Sequence, residues 1–239
     1  MFILFGPAHL GALAATALAA LAMARAARLP VFVARPRRLA VPLAAVLLAN
    51  EFIWHLYQLD SGSWEAASSL PLHLCDAALF MAVWAVLTER QIPFELAYFW
   101  GLGGSLQALL TPSVAQPFPA YEFLRFFISH GGIVLAVAYL TLGRRMRPGP
   151  RSVPRSILIT LACMAAVAGL DQALSANYMF LCEKPESASL LDFLGPWPWY
   201  LMPMSGIGAV TLAALYLPYH IIDRRRKRPG ESAARASRP

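Results

Sequence analysis

The sequence predicts an all-α, polytopic membrane bundle, and three observations carry that prediction. Of the 239 residues, 58% are hydrophobic and only 14% are charged, a balance that bilayer-facing helices need and a soluble core rarely does. The apolar residues gather into stretches close to the roughly 20 residues that cross the hydrocarbon as a helix. The arginines fall between those stretches in a regular alternation.

Seven stretches qualify, at about 2–24, 39–59, 70–88, 93–110, 121–142, 153–176 and 197–222. The first is alanine-rich and ends in small residues, as a secretory signal does. It lacks a basic n-region and arginines follow it directly, so it reads as a retained helix. The second and third each carry polar residues in one half. The fourth contains "GLGGS" (101–105), whose small side chains let a neighbouring helix approach closely. The fifth follows "TPSVAQPFPAYEF" (111–123), where three prolines forbid helix and imply a stiff turn. The sixth leads into the longest connection, "NYMFLCEKPESASLLDFLGPWPWY" (177–200). There Trp197, Trp199 and Tyr200 fit an aromatic belt at the water interface where the seventh begins.

The basic residues predict orientation. Arg25, Arg28, Arg35, Arg37 and Arg38 follow the first stretch, Arg90 separates the third and fourth, and Arg144, Arg145, Arg147, Arg151 and Arg155 separate the fifth and sixth. The tail "RRRKRPGESAARASRP" continues the pattern, so the positive-inside rule puts the N-terminus out and the C-terminus in. The expected organisation is one membrane domain over 1–222 and a basic, disordered cytoplasmic tail over 223–239. The net charge of +7 sits in the connections and the tail without aromatic interleaving. Topology and anionic headgroups explain it better than nucleic acid does. No internal repeat supports an inverted-repeat transporter.

An ionisable side chain deep in the bilayer costs on the order of 3 kcal/mol, so such groups face the bundle interior or a water-filled cavity. Here they share one depth. His9, Asn50, Glu51, His55, His73, Cys75, Asp76, Gln107, Arg125, Ser129, His130, Asp171 and Gln172 all fall in the predicted outer third, whereas the inner halves hold little beyond Glu95. A shared polar cavity open to the outside or the outer leaflet is the simplest account. Glu51 and His55 are four apart, His73 and Asp76 three, Arg125 and Ser129 four, so each pair shares a helix face.

A cysteine near a histidine is a nucleophile candidate, because a base or an imidazolium favours the reactive thiolate. His73 lies about 200° around the helix from Cys75 and is poorly placed as its base; His130 and His55 come from other helices and either can point at the thiol. Asp76, Asp171 or Glu51 would orient the imidazole. The plainer readings are a packing cysteine, a Cys75–Cys182 disulfide, and an Arg125–Glu122 ion pair. No HxxxH or HExxH spacing supports a metal site, and no metal or cofactor is expected.

Four stretches together carry a family resemblance: "LPLHLCD" (70–76), "GLGGSLQALLTP" (101–112), "FFISHGGIVLAVAYL" (126–140), and "NYMFLCEKP" followed by "LLDFLGPWPWY" (177–200). The chain resembles the YwaF-type bacterial integral membrane proteins, which are similar to the eukaryotic transmembrane protein 164 family of lipid acyltransferases. The resemblance covers roughly 45–205 and implies a catalytic cysteine at Cys75, in "HLC", and a catalytic histidine at His130, in "SHGG".

The expected function is therefore a lipid acyltransferase or acyl hydrolase of the inner membrane, working through a cysteine thioester at the extracytoplasmic side. Its partner would be a membrane phospholipid or lysophospholipid. Arg125 is expected to hold the lipid phosphate, Ser129, Gln107 or Asn177 to donate to the oxyanion, and Asp171 or Asp76 to orient a histidine. His73, Glu51 and His55 complete the supporting set. The alternative is a non-enzymatic binding or transport protein, with Glu51, His55, Asp76 and Asp171 as a relay in an outward-facing polar cavity.

Overall fold

The computed structural model describes residues 2–185 and 190–236, and every regular element among them is helical. The elements are α1 (Pro7–Ala26), α2 (Pro30–Ala34), α3 (Arg37–Asp60), α4 (Leu74–Thr88), α5 (Gln91–Trp100), α6 (Leu106–Leu110), α7 (Tyr121–Ala138), α8 (Ser152–Leu174) and α9 (Leu201–Ala236). A π-helical turn, Gly101–Ser105, joins α5 to α6 without a break, and a second, Tyr139–Gly143, extends α7. Helical backbone continues to Ala236, through most of the basic stretch whose composition suggested disorder; residues 237–239 lie outside the described residues.

Five helices are long and apolar enough to cross a bilayer: Pro7–Ala26, Arg37–Asp60, Tyr121–Gly143, Ser152–Leu174 and Leu201–Arg225. The chain is a multi-pass membrane protein. The third and fourth stretches take a different form from the rest. α4 has 15 residues, about 22 Å at 1.5 Å per residue, which is less than the roughly 30 Å of a hydrocarbon core. It starts late because Pro71 keeps the preceding chain extended, and because the Asp76 carboxylate accepts the His73 backbone N–H at 3.0 Å, which caps the helix there. It stops where Glu89 turns left-handed (φ 50°). The fourth stretch is α5, the π turn and α6 in succession.

α7 is the hub. Half of its most apolar window is buried, against 11% for α8 and 6% for Leu201–Arg225, so α8 and α9 lie at the periphery. α7 packs on α1, α3, α4, α5 and the first π turn. Small residues set these distances. Ala78, Ala82, Ala85 and Ala97 are fully buried where α4 meets α5, and a Cβ on Gly101 would sit 2.8 Å from Ile133 Cγ2.

The end of the bundle opposite the polar residues is held by charge. The buried Glu95 carboxylate pairs with Arg155 and accepts from Gln91 Nε2 at 2.7 Å; Arg144 pairs with Glu89 at 2.7 Å and Arg147 with Asp223 at 2.6 Å. Arg28 reaches across to the Leu142 carbonyl at 2.8 Å, tying α1 to the end of α7. These contacts join α5 to α8, and the connection between α7 and α8 to the end of α4 and to α9.

The same substitution should have opposite signs at two glycines. A Cβ on Gly143 would lie 2.6 Å from Ala27 Cβ and 3.4 Å from the Ala24 carbonyl, so Gly143→Ala must push α1 from α7 at a cost of about 1–3 kcal/mol. Gly169, in α8, has nothing within 4 Å of that position, so Gly169→Ala should gain about 0.5–1 kcal/mol of helix propensity. Thermal unfolding of both variants in one detergent reads the two signs.

Candidate functional site

The site is built where α3, α4, α7 and the first π turn meet, at the end away from the Glu95–Arg155 pair of α5 and α8. Glu51, on α3, is 6% exposed. Its carboxylate faces Arg125 Nη2 of α7 at 3.5 Å and His55 Nε2, one turn along α3, at 3.5 Å. The Arg125 guanidinium lies 4.3 Å over the Trp54 ring. Arg125 therefore pairs with α3 and not with Glu122 of its own helix, although Glu122 and Arg125 both line a pocket of about 220 Å³ beside Trp54 and Phe126. Beneath it, Asn50 Nδ2 donates to Ser129 Oγ at 2.8 Å and to the Arg125 carbonyl at 3.2 Å.

α4 brings its first turn to this group. Asp76 lies within electrostatic reach of Glu51 and Arg125, and Cys75 lies beside Asp76 with the Ser105 side chain against its thiol. Ser105 belongs to the π turn and is fully buried. A π turn inside a membrane helix is a recurrent functional device because it re-aims one side chain by fractions of a turn. Cys75 is half-buried, and all three cysteines are free thiols, so no Cys75–Cys182 disulfide forms.

The hydrogen bonds assign a role to four of the five histidines. His9 is fully buried and spent: Nδ1 accepts from the Phe5 N–H at 2.9 Å, and Nε2 donates to the Leu109 carbonyl at 2.8 Å. It pins α1 to α6 and is apart from the cluster. His55 accepts from Trp64 Nε1 at 3.4 Å through Nδ1, which leaves its Nε2–H toward Glu51. His73 accepts from the Met179 N–H at 3.3 Å through Nδ1, so its proton is on Nε2. His130 is the opposite tautomer. Its Nδ1 lies 3.0 Å from the Phe126 carbonyl, which can only accept, so Nδ1 carries the proton and Nε2 presents a lone pair. Phe126 also stacks on the ring at 4.2 Å between centroids, fixing its plane.

The remaining expected residues divide. Asp171 is 1% exposed and accepts the Tyr178 N–H at 2.9 Å; it is within electrostatic reach of His73. Asn177 spends its amide on its own loop, accepting from the Cys182 and Glu183 N–H groups and donating to the Glu183 carbonyl. Gln107 is exposed on α6. Ser105, Trp54 and Tyr178 belong to the group and were missed. Ser105 sat in a motif read only for packing, and nothing in a sequence marks a π turn. Among the described residues no His, Cys, Asp and Glu gather as a metal site.

The larger cavity, about 590 Å³, is elsewhere. It is an apolar groove between α1 and α3 floored by Phe127, Gly131 and Leu135 of α7. His130 is not among the residues that line it.

Helical membrane architecture, a buried charge network at one end and a thiol and an imidazole on adjoining helices define the class: a multi-pass membrane protein with an intramembrane polar site. The chain belongs to the TMEM164 family, whose model matches residues 4–216. It is also similar to an uncharacterised protein of Treponema pallidum (strain Nichols), 28% identical over 220 residues that cover 92% of this chain and 90% of that one. No solved structure matches.

Replacing Asp171 tests how the site is held. Asp171→Leu leaves the buried Tyr178 N–H without an acceptor and should cost about 1–3 kcal/mol, whereas Asp171→Asn keeps an acceptor oxygen and should cost less. The order of thermal midpoints, wild type above Asn above Leu, is the expected result.

Proposed function

We propose that the chain is a membrane lipid acyltransferase or acyl hydrolase that works through a thioester on Cys75 with His130 as base. The observation that supports this reading best is the tautomer of His130. Its Nδ1–H is committed to the Phe126 carbonyl, and the free Nε2 lone pair is what a general base needs.

In the proposed reaction the Cys75 sulfur bonds to the acyl carbonyl carbon of a membrane lipid. Nε2 of His130 takes the thiol proton, and the carbonyl electrons return as the carbon–oxygen ester bond breaks. The proton passes to the departing lyso-lipid oxygen. An acceptor hydroxyl, of water or of a lysophospholipid, then attacks the thioester and gives its proton through the same imidazole, which regenerates the thiol. Arg125 holds the lipid phosphate beside Trp54, and the Ser129 and Ser105 hydroxyls are candidates to donate to the oxyanion. The family membership and the motifs around Cys75 and His130 support the same assignment.

The topology belongs to the same proposal. Seven passes, with α4 and the α5–α6 segment as the two beyond the five long helices, put the N-terminus outside and the C-terminus inside, in the inner membrane. The arginine alternation supports this. The site then faces the outer leaflet, where the scissile esters lie just below the headgroups.

Intact-protein mass spectrometry in nanodiscs of mixed phospholipids tests the reaction. Wild type should carry a hydroxylamine-labile acyl adduct, Cys75→Ala none, and His130→Ala should acquire it roughly 10²–10⁴ times more slowly. Folded wild type that gains no adduct across varied lipids overturns the reading.

A further inference from the structure

We infer that Tyr178 is a positioning residue that sets where the Cys75 thiol sits. No feature of the sequence singles Tyr178 out, and it makes no contact with Cys75 itself. Its effect runs through the chain that leads into α4.

Tyr178 follows α8 and is 1% exposed. Its backbone N–H is held by Asp171 Oδ1 at 2.9 Å, which anchors it to the last turn of α8. Its hydroxyl faces the opposite way and is used twice, accepting the Leu70 N–H at 2.8 Å and donating to the Ala66 carbonyl at 2.9 Å. The next residue adds a third tie, the Met179 N–H to His73 Nδ1 at 3.3 Å, and the His73 ring meets the Tyr178 ring edge-on at 5.2 Å. Three hydrogen bonds thus join residues 178–179 to residues 66–73, two positions short of Cys75. His73 in turn donates its backbone N–H to Asp76, so the last free joint before the thiol is closed.

The backbone of the loop points to the same conclusion. Met179 and Phe180 both lie in the left-handed region, with φ of 55° and 56°. Such a conformation disfavours any side chain other than glycine, and it persists only where its surroundings over-determine it. Here those surroundings are visible: Tyr200 Oη donates to the Phe180 carbonyl, and Trp197 Nε1 donates to the Leu181 carbonyl at 3.0 Å. The left-handed pair turns the Met179 N–H toward His73. The loop is a clamp, and its two fixed ends are α8 and the entry to α4.

This inference rests on the proposed reaction only for its purpose, so its test reads the thiol directly. With Cys182→Ser, the full chain in nanodiscs has two thiols, Cys75 at the clamp and Cys163 within α8. The rate of N-ethylmaleimide addition to each is followed by mass spectrometry of peptides. Tyr178→Phe deletes one oxygen and keeps the ring. It should change the Cys75 rate by roughly tenfold, within what loss of the two hydroxyl hydrogen bonds allows, and leave the Cys163 rate unaltered. Equal changes at both thiols would mean general loosening, and no change at Cys75 would mean no clamp; either overturns the inference. If Tyr178→Phe does not fold, His73→Phe removes the Met179 acceptor and is read by the same two rates. A wild type that takes no acyl adduct but shows the selective Cys75 response sinks the reaction and leaves the clamp standing.

Discussion

A carboxylate buried among apolar helices must find a cation or a hydrogen-bond donor, and at Glu51 the first of these organises this molecule. Isolated in low dielectric, an ionised Glu51 would cost several kcal/mol, so α3 and α7 can pack here only with Arg125 turned inward to meet it. Once it is inward, Trp54 covers the guanidinium and Asn50 closes on the Arg125 carbonyl and on Ser129. The registers of α3 and α7 follow. Glu95 and Arg155 impose the same condition at the other end, between α5 and α8. Two paired charges, one near each end, do for this bundle what hydrophobic burial alone cannot do in lipid, where tails are as apolar as the side chains.

α7 then serves several purposes by turning different faces to different neighbours. Phe127, Gly131 and Leu135 floor the apolar groove, Arg125 and Ser129 meet α3, and Ile133 and Val137 receive Gly101 of the π turn. His130 falls between these faces, held by Phe126 from its own helix. Its tautomer therefore depends on no other element. An imidazole whose orientation is set locally does not depend on how the peripheral α8 and α9 pack.

Much of this was legible in the sequence. Stretches at 2–24, 39–59, 121–142, 153–176 and 197–222 correspond to the five long helices within a few residues, because length and hydropathy decide membrane helices almost without tertiary help. The polar residues were legible as a group at one depth. Partners were not: helix spacing offered Glu122 as the plainer partner for Arg125, whereas the observed partner is Glu51, 74 positions earlier. His9 looked like a member of the cluster by depth and Asn177 like an oxyanion donor, yet the first fastens α1 to α6 and the second folds its own loop.

The sequence by itself determined that this chain lies in a membrane, is helical, and carries most of the polar groups within its apolar stretches near one end, since each of these follows from transfer free energies that act residue by residue. Only the tertiary structure decided which nitrogen of His9, His55, His73 and His130 bears the proton, that a π turn sets Ser105 against Cys75, and that a left-handed pair at Met179 and Phe180 ties α8 to the start of α4. Those features are settled by where a carbonyl, a hydroxyl or an amide from a distant segment comes to rest, and hydrogen-bond geometry at that scale has no periodicity for a sequence to display.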